Sequence, residues 1–189
     1  MKSIFITFIL LLFSLPVYAG ELKGVKMPDS ITVDGHQLVL NGMGMRYVTK
    51  FGLDINVYVG ALYLEKKSKD SDAILRSNEI KRLIMHFVLS VDREPLLNGF
   101  EDGYENGCFV ACDKEKEQFA KFSPDVVEVR KDNEYVLTFY KDKLEFKATG
   151  PYAKKATIND AALSRNFLSI FINKKDPPGK KFREGLLGI

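Results

Sequence analysis

Asn41-Gly-Met-Gly-Met-Arg-Tyr47 places one guanidinium among glycines and large apolar side chains. It stands shortly before Val57-Tyr-Val-Gly-Ala-Leu-Tyr-Leu-Glu65, a tract that is apolar or aromatic almost throughout. Burying a bare guanidinium is very costly, so in such company Arg46 has to be paired or solvated. Its planar fork fits a carboxylate through two parallel hydrogen bonds. Three arrangements would satisfy it. Arg46 could hold an acid or ketone ligand at an apolar pocket, form an internal ion pair with a neighbouring Asp or Glu, or reach water from an edge strand. Strict alternation over 38–49 puts Arg46 on the face of Leu38, Leu40, Gly42, Gly44 and Val48, with Val39, Met43, Met45 and Tyr47 on the other. Gly42 and Gly44 leave room beside Arg46 for a ligand or a close backbone. Glycine equally marks a bulge, which would shift the phase and turn Arg46 to the opposite face. Tyr58 and Tyr63 lie on opposite faces of the next strand. Either could offer a hydroxyl to Arg46, against a default role in aromatic packing.

Other reactive residues are sparse. Cys108 and Cys112 are separated by three residues, which is not the spacing of a redox Cys-x-x-Cys pair. A local disulfide and two free thiols both stay open. His36 and His86 lie far from the cysteines, too few ligands for a zinc site. No metal and no cofactor is expected. His86 sits opposite the most apolar face of its strand and reads as a satisfied or exposed histidine. The chain contains no Gly-x-Ser-x-Gly, Walker loop, Gly-x-Gly-x-x-Gly or His-Glu-x-x-His.

The N-terminus reads as an export leader. Lys2 precedes an apolar run from Ile4 to Leu15, and Pro16-Val-Tyr-Ala19 ends on a small residue. Cleavage is expected after Ala19, leaving 20–189 as a single domain in the periplasm or outside the cell. The run is too short for a comfortable span and no second one follows, so no transmembrane span is expected in the mature chain. Removing the leader lowers the formal net charge only from +3 to +2. A surface so nearly balanced argues against nucleic acid as a partner.

Several elements must position these residues. Asp34-Gly35 suits a tight hairpin turn between Ile31–Val33 and Gln37–Leu40, with extended runs at Met43–Thr49 and Leu53–Glu65. Asp70 or Ser71 caps a short helix ending at Arg76. From Lys81 to Val91, Leu83, Met85, Phe87, Leu89 and Val91 share one face at period two. A helix follows from Asp92 to about Asn106, weakened or closely approached at Gly99, Gly103 and Gly107. Lys114–Phe122 is a second helix, Tyr135–Tyr140 and Leu144–Ala148 are strands, and Thr157-Ile158 closes another. Asn159 is expected to cap a helix carrying Phe167 and Phe171. Pro177-Pro178 breaks the chain before a last helix ending at Leu186-Leu187-Gly188. This order describes an α+β protein, a large antiparallel sheet with helices on one side.

These residues resemble the chalcone isomerase-like family. Leu22-Lys-Gly-Val-Lys-Met-Pro28 is similar to its opening, Gly44-Met-Arg46 to its Gly-x-Arg, and Val57–Glu65 to its tract ending in Tyr-Leu-Glu. Phe167–Phe171 and Leu186-Leu-Gly188 resemble the closing helices of its secreted bacterial branch. The resemblance implies an open-faced β-sandwich: a long curved antiparallel sheet covered by helices, with the ligand between them. It matches Arg46 to the arginine that holds an anionic or enone ligand. The ketone-polarising Thr of the true isomerases falls on Tyr58. Their helix-start Tyr falls near Asp92, with no Tyr within several residues, and their helical Asn falls near Asn98. The arginine is therefore kept while much of the ketone-binding network is replaced, as in non-catalytic relatives that bind fatty acids.

Together with the leader, the resemblance implies an exported binding protein for a fatty acid or similar amphipathic carboxylate. Arg46 would meet the carboxylate and Tyr58 would add a hydrogen bond, with Met43, Met45, Leu62 and Phe87 as wall residues. Two alternatives stand beside it. One is an intramolecular lyase closing a phenolic ring onto an enone. The other is an envelope interaction module whose pocket is vestigial. The sequence sets no oligomeric state.

Overall fold

The computed structural model describes residues 18–175 and 179–189. The expected leader as far as residue 17, and Pro177-Pro178, lie outside the described residues. In chain order the elements are β1 (Tyr18–Leu22), β2 (Val25–Pro28), β3 (Ser30–Val33), β4 (His36–Lys50), β5 (Leu53–Leu64), α1 (Ser71–Arg76) and β6 (Lys81–Phe87). There follow α2 (Arg93–Gly107), α3 (Glu115–Phe122), β7 (Glu134–Phe139), β8 (Leu144–Ala148), β9 (Lys154–Ile158), α4 (Ala161–Ile172) and α5 (Lys180–Leu187). Strands β3 to β9 form one antiparallel sheet in sequence order, a seven-stranded meander. The fold is the expected α+β architecture.

Three hairpins begin with a residue at positive φ followed by glycine at positive φ: Lys23-Gly24, Asp34-Gly35 and Phe51-Gly52. That geometry matches the right-handed twist of the strands it joins. The Asp34-Gly35 turn is the one expected from sequence. The first hairpin, β1–β2, is an element the sequence reading did not resolve. It packs on the face of the sheet opposite the helices, where Val25 and Met27 join Leu38, Leu40, Val59, Ala61 and Tyr63 in a small buried cluster. The Tyr63 hydroxyl donates to the Pro28 carbonyl at 3.0 Å and pins the hairpin there. One part of the sheet is therefore covered on both sides.

Strand β4 changes phase midway. Leu40 pairs with Tyr63 but Gly42 pairs with Leu62, so Asn41 is an extra residue. Its side-chain amide donates to the Ser68 and Leu186 carbonyls at 3.0 and 2.8 Å, and its oxygen accepts from the Ser68 N–H at 2.8 Å. The bulge puts Leu38 and Leu40 on the same face as Met43 and Met45, against the β1–β2 hairpin. Arg46 keeps company with Gly42, Gly44 and Val48 but parts from Leu38 and Leu40, as the alternation broken at a bulge requires.

Gly42 and Gly44 serve a close backbone. Helix α5 lies directly on β4: a Cβ at Gly44 would sit 2.3 Å from the Phe182 carbonyl oxygen, and one at Gly42 2.2 Å from that of Gly185. The approach is reciprocal, since a Cβ at Gly185 would meet the Met43 carbonyl oxygen at 2.4 Å. On α2, Gly103 and Gly107 admit Ile170 of α4 in the same way, whereas Gly99 faces open space.

The main core lies between sheet and helices and is largely aromatic. Tyr58, Phe87, Tyr135, Phe146, Phe122, Phe167 and Phe171 form a chain of ring contacts with centroids 4.3–6.2 Å apart. Edge-to-face and tilted pairs of this kind add to the area term. Asp160, one residue past the expected Asn159, caps α4 by accepting from the Ala162 and Leu163 N–H groups. Cys108 and Cys112 are bonded, with Cα atoms 5.7 Å apart. The fully buried Asn166 of α4 holds that loop: it accepts from the Phe109 and Val110 N–H groups and donates to the Val110 carbonyl and Gln118. His86 lies on the outer face of β6, 3.3 Å from Glu134 and 3.6 Å from Asp132.

Gly44→Ala forces Cβ into the α5 backbone and should lower stability by roughly 1–3 kcal/mol in denaturant melts; an unchanged midpoint would show that α5 can retreat freely. Burial holds the phenols of Tyr58, Tyr63, Tyr104, Tyr135 and Tyr140 neutral well above their ordinary range. In the unfolded chain they ionise near pH 10, so above that pH the folded state binds more protons than the unfolded one. Stability should hold below about pH 10 and fall as pH rises beyond it. Phenolate absorbance from these five should then grow together with loss of structure rather than before it.

Candidate functional site

A cavity of about 340 Å³ opens between one end of the sheet and helices α2 and α4. Its sheet side is built by register. Arg46 pairs directly with Tyr58 across β4 and β5, so their side chains stand next to each other on the helix-facing surface. Immediately beyond, Tyr47 pairs with Asn56, which leaves Val57 as a bulged residue of β5. A bulge turns two successive side chains towards one side, and both Val57 and Tyr58 line the cavity. Met85 of β6 adds to this floor. The roof comes from Leu96, Gly99 and Phe100 of α2 and from Ile170 and Phe171 of α4. Val48 and Leu89, 40% and 42% exposed, stand at the mouth.

The walls are mainly apolar, with polar groups at separate places. Burial raises the Tyr58 hydroxyl well above the usual phenol range, and the neighbouring Arg46 charge pulls it partly back. The phenol therefore stays neutral at ordinary pH and can donate a hydrogen bond to an anion or a carbonyl. Tyr58 is held from behind by Phe87 and Phe182, with ring centroids 5.4 and 5.5 Å away. On the helix side Asp92 is the N-cap residue of α2, yet its carboxylate makes no capping bond. Asp92 and Arg46 are the charged groups of the cavity lining. A carboxylate entering would be drawn to the Arg46 side and repelled from the Asp92 side, which gives the site a polarity.

Of the residues singled out from sequence, Arg46 and Tyr58 come together here. Phe87 is fully buried behind Tyr58 and supports it without lining the cavity. Leu62 faces the helices too, but it is fully buried further along β5, away from the cavity. Met43 and Met45 point to the opposite face and pack with the β1–β2 cluster, because alternation resumes after the Asn41 bulge with the glycines and Arg46 facing the helices. Sequence reasoning did not assign Val57, Leu89, Asp92, Phe100, Ile170 or Phe171 to the site. Val57 reaches the cavity through the bulge, Phe100, Ile170 and Phe171 through the α2–α4 contact, and Leu89 and Asp92 from the segment joining β6 to α2. Among the described residues no group of three or more His, Cys, Asp or Glu side chains could hold a metal ion.

This curved antiparallel sheet, with a cavity beneath its helical layer, defines a class. A sequence profile described as chalcone isomerase-like matches residues 19–188, and the chain belongs to that family. Among solved structures, the chain is similar to the fatty-acid binding protein AtFAP1 of Arabidopsis thaliana, with a TM-score of 0.67 and 18% sequence identity. The match covers 87% of this chain and 92% of that one. No curated protein matches the sequence.

Gly99 offers a direct probe of the cavity. Gly99→Ala should stabilise α2 by roughly 0.5–1 kcal/mol, since alanine loses less backbone freedom on folding. Gly99→Leu places a branched side chain in the roof of the cavity and should reduce uptake of an anionic naphthalene dye by about tenfold while the fold is kept. Undiminished uptake would place the dye elsewhere.

Proposed function

We propose that this protein is an exported, non-catalytic binding protein for a fatty acid or a similar amphipathic carboxylate. The observation that carries the reading is the register pair Arg46–Tyr58 at one side of an apolar-walled cavity. The guanidinium fork accommodates a carboxylate bidentately, and the neutral Tyr58 hydroxyl donates a further bond to the same head group. The tail would lie along Met85, Leu96, Phe100, Ile170 and Phe171, where each methylene withdrawn from water contributes about 0.8 kcal/mol. Asp92, on the helix side, disfavours the reverse orientation. The fold shared with a plant fatty-acid binding protein supports this reading. The leader-like N-terminus supports export to the periplasm or beyond.

Titration of delipidated protein with a long-chain fatty acid tests the assignment. Arg46→Ala should weaken binding by about ten- to a hundredfold, the range of a charged hydrogen-bond pair worth roughly 1.5–3 kcal/mol. Tyr58→Phe, which keeps the ring and removes only the hydroxyl, should weaken it several-fold. Equal affinities for wild type and Arg46→Ala would remove Arg46 as the anchor.

A further inference from the structure

Strands β4 and β5 run on past the rest of the sheet. Strand β6 pairs with β5 only from Tyr58 onward, so among the described residues the pairs Tyr47–Asn56, Val48–Ile55, Thr49–Asp54 and Lys50–Leu53 have no third strand beside them. This two-stranded ribbon is two-faced. Thr49 and Asp54 occupy one face and bond to each other at 2.7 Å. Val48, Ile55 and Leu53 share the other face with Lys50, and that face continues the one bearing Arg46 and Tyr58.

Its apolar residues are exposed: Phe51 by 93%, Leu53 by 71% and Ile55 by 37%. Of the seven large apolar residues exposed among the described ones, five are Val48, Phe51, Leu53, Ile55 and Leu89, on this ribbon and the facing rim of the cavity. Phe51 is doubly disfavoured where it stands. It is almost wholly in water, and its φ of 54° is a left-handed conformation that a bulky residue adopts reluctantly. Asn-Gly is the preferred pair for this turn. Neither fold stability nor turn geometry selects phenylalanine here.

We propose that the tip of the β4–β5 ribbon docks on a phospholipid bilayer and sets the cavity mouth against the lipid. A membrane fits better than a protein. A hairpin tip is convex and carries only a few apolar side chains, too small a face for the ~800 Å² per partner that a stable protein interface requires. A bilayer interface takes up such a wedge without needing complementary shape. Lys50, with its ammonium 5.7 Å from the Phe51 ring, carries a cation at the level where lipid phosphates lie. The net charge, +3 with the leader and +2 without it, does not oppose an anionic surface. Because Val48 and Leu89 belong both to the exposed patch and to the cavity mouth, docking gives an apolar tail a path from lipid to cavity without crossing water. That last point rests on the proposed ligand; the docking itself does not.

Vesicle flotation with phosphatidylethanolamine–phosphatidylglycerol liposomes tests the proposal. The wild-type protein should float with the vesicles and remain bound at high salt. Phe51→Asn should cut the bound fraction by about tenfold or more, as expected for withdrawing a phenyl ring from lipid. Its thermal midpoint should be unchanged or higher, because the turn is relaxed. The chain has no tryptophan, so Phe51→Trp is a clean reporter, and its emission should shift to the blue when vesicles are added. The ligand assignment is read separately: Phe51→Asn should bind dissolved fatty acid like wild type, and Arg46→Ala should still float. Failure of the wild type to float, with an unshifted Phe51→Trp emission, overturns the docking whatever the ligand titration shows. So does a Phe51-dependent dimer in sedimentation that ignores vesicles.

Discussion

The contact on which the rest depends is the backbone-to-backbone seat of α5 on β4. Gly42 and Gly44 on the strand and Gly185 on the helix remove the side chains that would hold the two apart. The seat works only if both strand glycines face the helix, and the Asn41 bulge supplies that phase. The Asn41 side chain reinforces it by joining the α5 carbonyl of Leu186 to the loop at Ser68. Since Arg46 lies two residues beyond Gly44, the phase that seats the helix also turns the guanidinium towards the cavity. One local irregularity thus sets both a packing contact and the face on which a charge is presented.

The second bulge, at Val57, does for β5 what Asn41 does for β4. It places two consecutive side chains on the cavity face and ends the region where β6 can follow. Beyond it the hairpin continues without a third strand among the described residues. The irregularities therefore divide the β4–β5 pair into three zones: a doubly covered part under the β1–β2 hairpin, a cavity floor, and an unsupported ribbon. Aromatic packing holds the middle zone still, because Tyr58 is fixed by Phe87 and Phe182. A rigid phenol beside a guanidinium can meet a head group without first being ordered.

Charge placement gives the site direction. Arg46 is seated on the sheet and Asp92 at the start of α2, while the surfaces between them are apolar. Asp92 stands at the N-terminal end of α2 without a side-chain capping bond. Burial keeps Tyr58 protonated, which suits donating a hydrogen bond and not abstracting a proton.

Much of this was legible in the chain itself. Period-two alternation over 81–87, the Asp34-Gly35 turn, the capped start of α1 and the glycine-flanked arginine are local patterns set by short-range geometry, whereas the strand expected to run on to Val91 ends at Phe87 and leaves Leu89 exposed. The composite of Arg46 and Tyr58 was legible too, since it needs only two adjacent strands in sequence. The wall residues were not. Met43 and Met45 face away because a single extra residue, Asn41, resets the alternation, and no local signal distinguishes a bulging asparagine from a paired one. Phe100, Ile170 and Phe171 reach the cavity only because Gly103 and Gly107 let α4 close on α2, a contact between segments over sixty residues apart. Sequence determines which side chains are available and how each element alternates. Tertiary structure alone decided which faces meet, because bulge position and helix seating are fixed by packing at long range.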